Sequence, residues 1–182
     1  MRLIKVYLAA TLLVLASLVT PASSSAQAIA MLGLSAGAAV PMGKLSDTHS
    51  TGFNTMVSLG FGGGEEIPVS LRFDGAYTKF NGSTTNGVTV DGLRIWSGNV
   101  NAIVTVPGTE IIRPYVLGGG GVFNIKSSAA NSNAATDFGF TGGVGVSFDL
   151  SGFNTFAEAR IHHVFTANGA TRYAPIVFGI LF

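Results

Sequence analysis

Read backwards from residue 182, the chain places Phe182, Ile180, Phe178, Ile176 and Ala174 in an unbroken apolar row on every second position. A repeat of two is that of a β-strand with one apolar face. The same alternation recurs in eight segments, at 29–41, 53–62, 68–80, 93–106, 113–126, 138–149, 155–166 and 173–182. Clusters of Gly, Asn, Ser, Asp and Pro separate them, as expected of turns between strands. The polar connections at 43–52, 81–92, 127–137 and 167–172 are mostly long, whereas those around 63–67, 107–112 and 151–154 are tighter. Eight strands joined by alternately long and short links predict an all-β, eight-stranded antiparallel up-and-down barrel.

Sorting the alternating positions gives two unlike faces. One carries Leu32, Leu34, Val40, Val57, Leu59, Phe61, Val69, Leu71, Phe73, Tyr77, Trp96, Val100 and Val104. It continues with Tyr115, Leu117, Phe123, Ile125, Phe138, Phe140, Val144, Val146, Phe148, Ile161, Phe165 and the terminal row. The other carries Gly33, Ser35, Gly37, Asn54, Ser58, Ser70, Arg72, Asp74, Thr78, Ser97, Asn99, Asn101, Gly143, Gly145, Ser147, Glu158, Arg160 and His162.

Alternation alone allows either face to point outward. A soluble barrel of lipocalin type would bury the apolar rows and turn the Gly, Ser and Asn rows to water. Composition decides against it. Charged residues are 10% of the chain, against about 25% in soluble domains, and such a surface would be poorly solvated. The aromatics near strand ends (Trp96, Tyr77, Tyr115, Tyr173), the loop asymmetry and the aromatic terminus favour apolar-out. The expectation is therefore a transmembrane β-barrel, each segment long enough for a tilted crossing of about 9–11 residues, with a small, polar interior. An even strand number puts both termini in one compartment, with Phe182 on the periplasmic side and the polar loops outside.

The first residues read as an export signal. Arg2 and Lys5 form a basic start, Val6 to Val19 is apolar, Pro21 follows, and Ala26-Gln27-Ala28 is a small-x-small cleavage pattern. The apolar run falls short of the roughly 20 residues a membrane helix needs, which disfavours a retained anchor. The domain boundaries are thus 1–28 for a signal peptide and 29–182 for the barrel. Without Arg2 and Lys5 the basic count is 8 (10 − 2) against 9 acidic residues, a mature net charge of −1. No basic stripe is left for nucleic acid. Cysteine is absent, which excludes a disulfide scaffold or a zinc–thiolate site.

Several of these features together resemble a family. The export signal, the opening strand Gly-Leu-Ser-Ala-Gly-Ala-Ala-Val-Pro-Met-Gly at 33–43, the Phe-Ala-Glu-Ala-Arg-Ile-His-His run at 156–163 and the final Phe are similar to the bacterial outer-membrane β-barrel domain family, the small OmpA/OmpX-type barrels. The resemblance spans the mature chain and implies architecture far more than activity. Family members serve as structural anchors, adhesins, narrow pores and, more rarely, lipid-processing enzymes. One departure from the family is expected: no periplasmic peptidoglycan-binding domain after the barrel. The implied partners are outer-membrane lipid and the barrel-assembly machinery, which would read Phe178, Ile180 and Phe182; the implied state is a monomer in the cell outer membrane.

Candidate chemistry is confined to the polar rows. Arg72 and Asp74 on the third segment, and Glu158 and Arg160 on the seventh, should face each other across an eight-stranded ring and plug it with ion pairs, joined by His162. Buried charges need such partners. A gate or ion-selectivity role is the alternative. His162-His163 beside Glu158 invites comparison with lipid A deacylases, in which a His and a Ser two residues apart act with a carboxylate. Val164 and Phe165 stand two residues beyond these histidines, so the nucleophile is missing. Adjacent histidines point to opposite faces, which argues against a metal site. The glycine runs at 62–64 and 118–121 lack the Gly-Lys-Ser/Thr of a phosphate loop. Pro175 lies inside the last strand and calls for a bulge. The expectation is an outer-membrane barrel with a structural or surface-interaction role, no catalytic residues and no cofactor. A narrow porin-like channel is the alternative, and a soluble periplasmic ligand-binding barrel the next. N-terminal sequencing of the protein recovered from membranes should begin at Ile29; a chain starting at Met1 would show a retained anchor.

Overall fold

The computed structural model describes residues 30–62, 69–85, 88–106, 109, 111–130, 132–150, 153–167 and 169–182. The expected export signal (1–28), Pro68 and Pro107 lie outside them. The described residues form ten strands: β1 (Ala30–Met42), β2 (His49–Gly62), β3 (Val69–Gly82), β4 (Thr84–Thr85), β5 (Val88–Thr89), β6 (Leu93–Thr105), β7 (Ile112–Ser127), β8 (Ala135–Leu150), β9 (Phe153–Thr166) and β10 (Gly169–Leu181). β4 and β5 pair only with each other. The other eight close a barrel in the order β1-β10-β9-β8-β7-β6-β3-β2, with every neighbouring pair antiparallel. The eight segments read from alternation are these eight strands.

Closure leaves no sheet edge, as a hydrocarbon surround requires. Its geometry follows from the pairing. The circuit Leu32, Leu59, Phe73, Val100, Gly120, Phe140, His163, Arg172 returns to β1 at Met42. The return lies ten residues past the start (42 − 32 = 10), a shear of ten over eight strands. With standard strand spacings this tilts the strands by about 40° and leaves a lumen just wide enough for side chains. The final residue belongs to the closure: Phe182 N–H donates to Leu32 O at 2.7 Å, and Leu32 N–H donates back to Phe182 O at 3.0 Å.

The apolar rows face outward. Leu34, Val57, Leu71, Phe73, Val100, Phe140, Val144, Ile161, Ile176, Phe178 and Phe182 are all exposed on the outer wall. β7 departs from the expectation. Tyr115, Leu117 and Phe123 point into the lumen, Ile125 packs against the buried cluster there, and Val116 and Val122 take the outward positions. Both parities of β7 are apolar, and Gly118–Gly121 carries no side chain to mark a face. Pairing settles the choice: Gly119 and Gly121 lie opposite the buried Asn101 and Asn99. Tyr173 is likewise inside rather than at an outer interface, because it has the parity opposite to the terminal row.

Strands also run further than their apolar portions. Polar residues continue the ladders, so the connections after β1, β7 and β9 shorten to 43–48, 128–134 and 167–168, and the contrast in loop length is weaker than the sequence suggests. Gly43–Leu45 forms a 3-10 turn, and the β4–β5 hairpin occupies the connection from β3 to β6. Pro175 needs no bulge. Tyr173 pairs with His162 and Ile176 with Ala159 in one register, and only the pairings of Ala174 and Pro175 to β9 are missing.

Inward glycines make room for large neighbours. A Cβ on Gly145 would lie 2.2 Å from Tyr115 Cζ, and one on Gly179 would lie 2.5 Å from Phe156 Cζ. Gly142, on the outer wall, has open space around it. Gly145→Ala should therefore lower stability by about 1–3 kcal/mol, the cost of overpacking, while Gly142→Ala stays near neutral. Urea unfolding midpoints in lipid vesicles read the contrast.

Candidate functional site

The inward rows of β3 and β9 carry the charges. These strands lie four places apart in the ring of eight in either direction, so their inward side chains meet across the diameter. Arg72 and Asp74 stand on β3 with Ala76, Thr78 and Phe80; Glu158 and Arg160 stand on β9 with Phe156, His162 and Val164. Their spacing of two keeps each charged pair on one face.

The structure brings the four charges into a closed ring. Arg72 Nε lies 3.0 Å from Asp74 Oδ1, and Arg72 Nη2 donates to Glu158 Oε2 at 2.7 Å. Arg160 Nη1 donates to Asp74 Oδ2 at 2.8 Å, and its Nε donates to Glu158 Oε1. Each guanidinium bridges both carboxylates and each carboxylate bridges both guanidiniums, so the four charges cancel. Neutral donors add to the shell: Asn101 Nδ2 donates to Asp74 Oδ2 and Tyr115 OH to Glu158 Oε2, both at 2.8 Å, while Arg160 Nη2 is buried without a hydrogen-bond partner among the described residues. All four ionised residues are buried, Arg72 being the most accessible at 6%. Burial of this depth is tolerated because every charge lies against two opposite ones and the carboxylates accept further hydrogen bonds.

His162 stands one step above this ring and outside it. Its Nδ1 is 2.8 Å from Thr141 Oγ1, and Thr141 Oγ1 is 3.4 Å from Asn99 Oδ1. The imidazole packs on Tyr173 (centroids 4.7 Å apart) and edge-on to Phe123 (5.4 Å). It belongs to a hydrogen-bonded and stacked layer, not to the ion pairs.

Sequence reasoning expected a polar interior and missed its apolar layers. Ala39, Phe80, Ile95, Phe123, Val164 and Tyr173 fill the lumen towards the rim away from the chain ends, with Leu45, Leu93 and Ile125 packed on them. Met56, Ala76, Phe156 and Val177, with Leu181, form a second cluster along the wall. Strand parity was the available signal. Phe80, Ile95 and Val164 share parity with Asp74, Asn99 and His162 on their own strands.

His163 faces outward and accepts a hydrogen bond from Arg172 Nε at 3.1 Å. Two residues past the histidines, Val164 is buried and Phe165 exposed, and neither carries a hydroxyl. Among the described residues, no group of three His, Cys, Asp or Glu converges as metal ligands.

A closed barrel with an apolar outer wall, a charged centre and an aromatic terminal strand defines the class of small membrane barrels. The outer membrane protein beta-barrel domain family matches residues 9–176, and the chain belongs to that family; it resides in the outer membrane, in contact with lipid. No curated protein sequence matches it. Among solved structures it is similar to Neisserial surface protein A, at 17% identity over 84% of this chain and 95% of that one, with a TM-score of 0.64. It is also similar to the attachment invasion locus protein Ail of Yersinia pestis, at 16% identity over 84% and 98%, TM-score 0.52. The N-terminal barrel domain of Pseudomonas aeruginosa OprF aligns at 17% identity over 84% and 97%, TM-score 0.50. At these identities the likeness is one of fold.

Removing one member of the ring leaves a buried charge uncompensated. Arg72→Met should cost about 3–5 kcal/mol, and Arg72→Met with Glu158→Met substantially less than the sum of the two single changes. Unfolding midpoints of the two single variants and the double variant measure this; additive losses would show that the cross-lumen contact carries no coupling.

Proposed function

We propose that this protein is a sealed, non-catalytic barrel with a structural and surface-interaction role, its lumen plugged by its own side chains. The observation that carries this reading is the neutral Arg72–Asp74–Glu158–Arg160 ring spanning the lumen, beneath side chains wholly removed from solvent. Phe80, Phe123, Val164 and Tyr173 all have 0% exposure although they lie near one rim. A conducting path would have to part both layers, separating charges that have no other charged partner among the described residues.

A non-enzymatic role is supported by the surroundings of the two histidines. The hydroxyl beside His162, Thr141 Oγ1 at 2.8 Å, is buried with it in the lumen against Phe123 and Tyr173, away from any substrate in lipid or water, and His163 is held by Arg172 rather than by a hydroxyl. The surface role draws on the strand connections, which are the natural variable elements of such a scaffold. It draws also on the names of two similar barrels, a surface protein and an attachment invasion locus protein. We read residues 1–28 as a signal removed on export. The mature chain then inserts as a monomer, with both ends of the barrel sheet periplasmic. The outward row Phe178, Ile180 and Phe182 serves as the terminal signal for the assembly machinery.

Purified protein in a planar bilayer should give no steady single-channel steps. Reproducible unitary conductance would overturn the sealed-barrel reading in favour of a narrow channel for water or small solutes.

A further inference from the structure

We propose that the outer wall of β3, β6 and β7, below the rim away from the chain ends, binds the phosphorylated headgroup of a lipid in the surrounding leaflet. Lys79 pairs with Arg94, and Arg94 with Lys126. Three cations thus stand side by side on adjacent strands. Arg94 and Lys126 are exposed and Lys79 half-buried, and all three share the outward parity of Tyr77, Trp96 and Asn124. Like charges placed directly opposite destabilise a strand pair. Among the described residues, none of the three takes part in an ion pair. An anion lying across the row would relieve that repulsion, and phosphate oxygens match the forked donors of Arg94 with ammonium groups on either side.

The wall beneath the row says which anion. Two residues down, Tyr77 pairs with Trp96, their rings 4.7 Å apart, and Phe53 packs on Tyr77 at 5.8 Å. Trp96 is 62% exposed. Two residues further, Gly75 pairs with Gly98, and a Cβ on either would meet nothing within 4 Å. Below them Phe73 pairs with Val100. Cations, an aromatic shelf, a bare backbone trough and an apolar floor follow one another down a single stretch of wall. Tyr and Trp sit at headgroup level in membrane proteins, and basic side chains just beyond that level attract anionic lipid. The trough over Gly75 and Gly98 seats an acyl chain, a feature that a free phosphate ion would not use. The proposal rests on the membrane placement and is independent of whether the lumen conducts.

Trp96 is the chain's single tryptophan and lies inside the proposed site, so its fluorescence reports local lipid. The full barrel is reconstituted in phosphatidylcholine vesicles containing a minor fraction of dibrominated phosphatidic acid or, in parallel, the same fraction of dibrominated phosphatidylcholine. The phosphatidic acid should quench Trp96 more strongly. Arg94→Gln should lower that preference roughly fivefold, the effect of one basic side chain at an anionic surface. Lys79→Gln with Arg94→Gln and Lys126→Gln should abolish it. Arg172→Gln, on the opposite wall, should leave it intact, which separates a site from a general field. Heat-modifiable migration on a detergent gel confirms that each variant is folded. Equal quenching by the two lipids, or an undiminished preference in the triple variant, overturns the proposal. So does an equal loss in Arg172→Gln, or displacement of the lipid by millimolar inorganic phosphate.

Discussion

Backbone pairing in hydrocarbon is the constraint from which the rest of this molecule follows. An N–H or C=O left open to lipid costs several kcal/mol, so a sheet in that medium must close upon itself. Here the last link is made by β10 against β1, extended to the terminal residue through Phe182 and Leu32. Closure at a shear of ten with eight strands fixes the tilt and hence the bore. The bore then dictates what the inward positions hold: glycine where a ring or a neighbouring strand presses close, and large side chains only where the opposite wall gives way.

Within that bore the four charges occupy a medium almost as poor in water as the lipid outside. Desolvating them is costly, and the net contribution of such a group to stability is small or even unfavourable compared with apolar packing. What the arrangement supplies is selectivity of pairing. Two arginines and two carboxylates meet across the lumen only when both pairs face inward, since a slip of one residue in β3 or in β9 would turn that strand's pair to the lipid face. The apolar layer above excludes water from the ring and thereby sharpens that preference.

Much of this architecture was legible in the sequence because lipid and lumen impose opposite demands on alternate residues. Where the two rows contrast in chemistry, as with Leu71 and Phe73 against Arg72 and Asp74, the face was readable from a handful of positions. Where they do not, it was not. β7 carries Tyr115, Leu117 and Phe123 on one parity and Val116 and Val122 on the other, around four glycines. Its phase is set by the asparagines of β6, which no local pattern reports. The apolar layers escaped notice for a related reason. Phe80 and Ile95 look lipid-facing by type, and only their parity with Asp74 and Asn99 places them inside. Strand ends were misjudged because, beyond the hydrocarbon, a ladder continues through Ser, Thr and Asn with no change of periodicity to mark it. The row of Lys79, Arg94 and Lys126 was invisible in one dimension, since register alone unites residues from three strands.

The contacts that knit the charged ring join residues 86 positions apart in the chain. A growing sheet holding only its first strands would carry Arg72 and Asp74 with one partner each, and the later hairpin would carry Glu158 and Arg160 in the same half-matched condition. Neither half gains full compensation until the walls come together. The ring is thus a latch thrown only by the completed cylinder, since its cross-lumen contacts do not exist in a partly closed sheet.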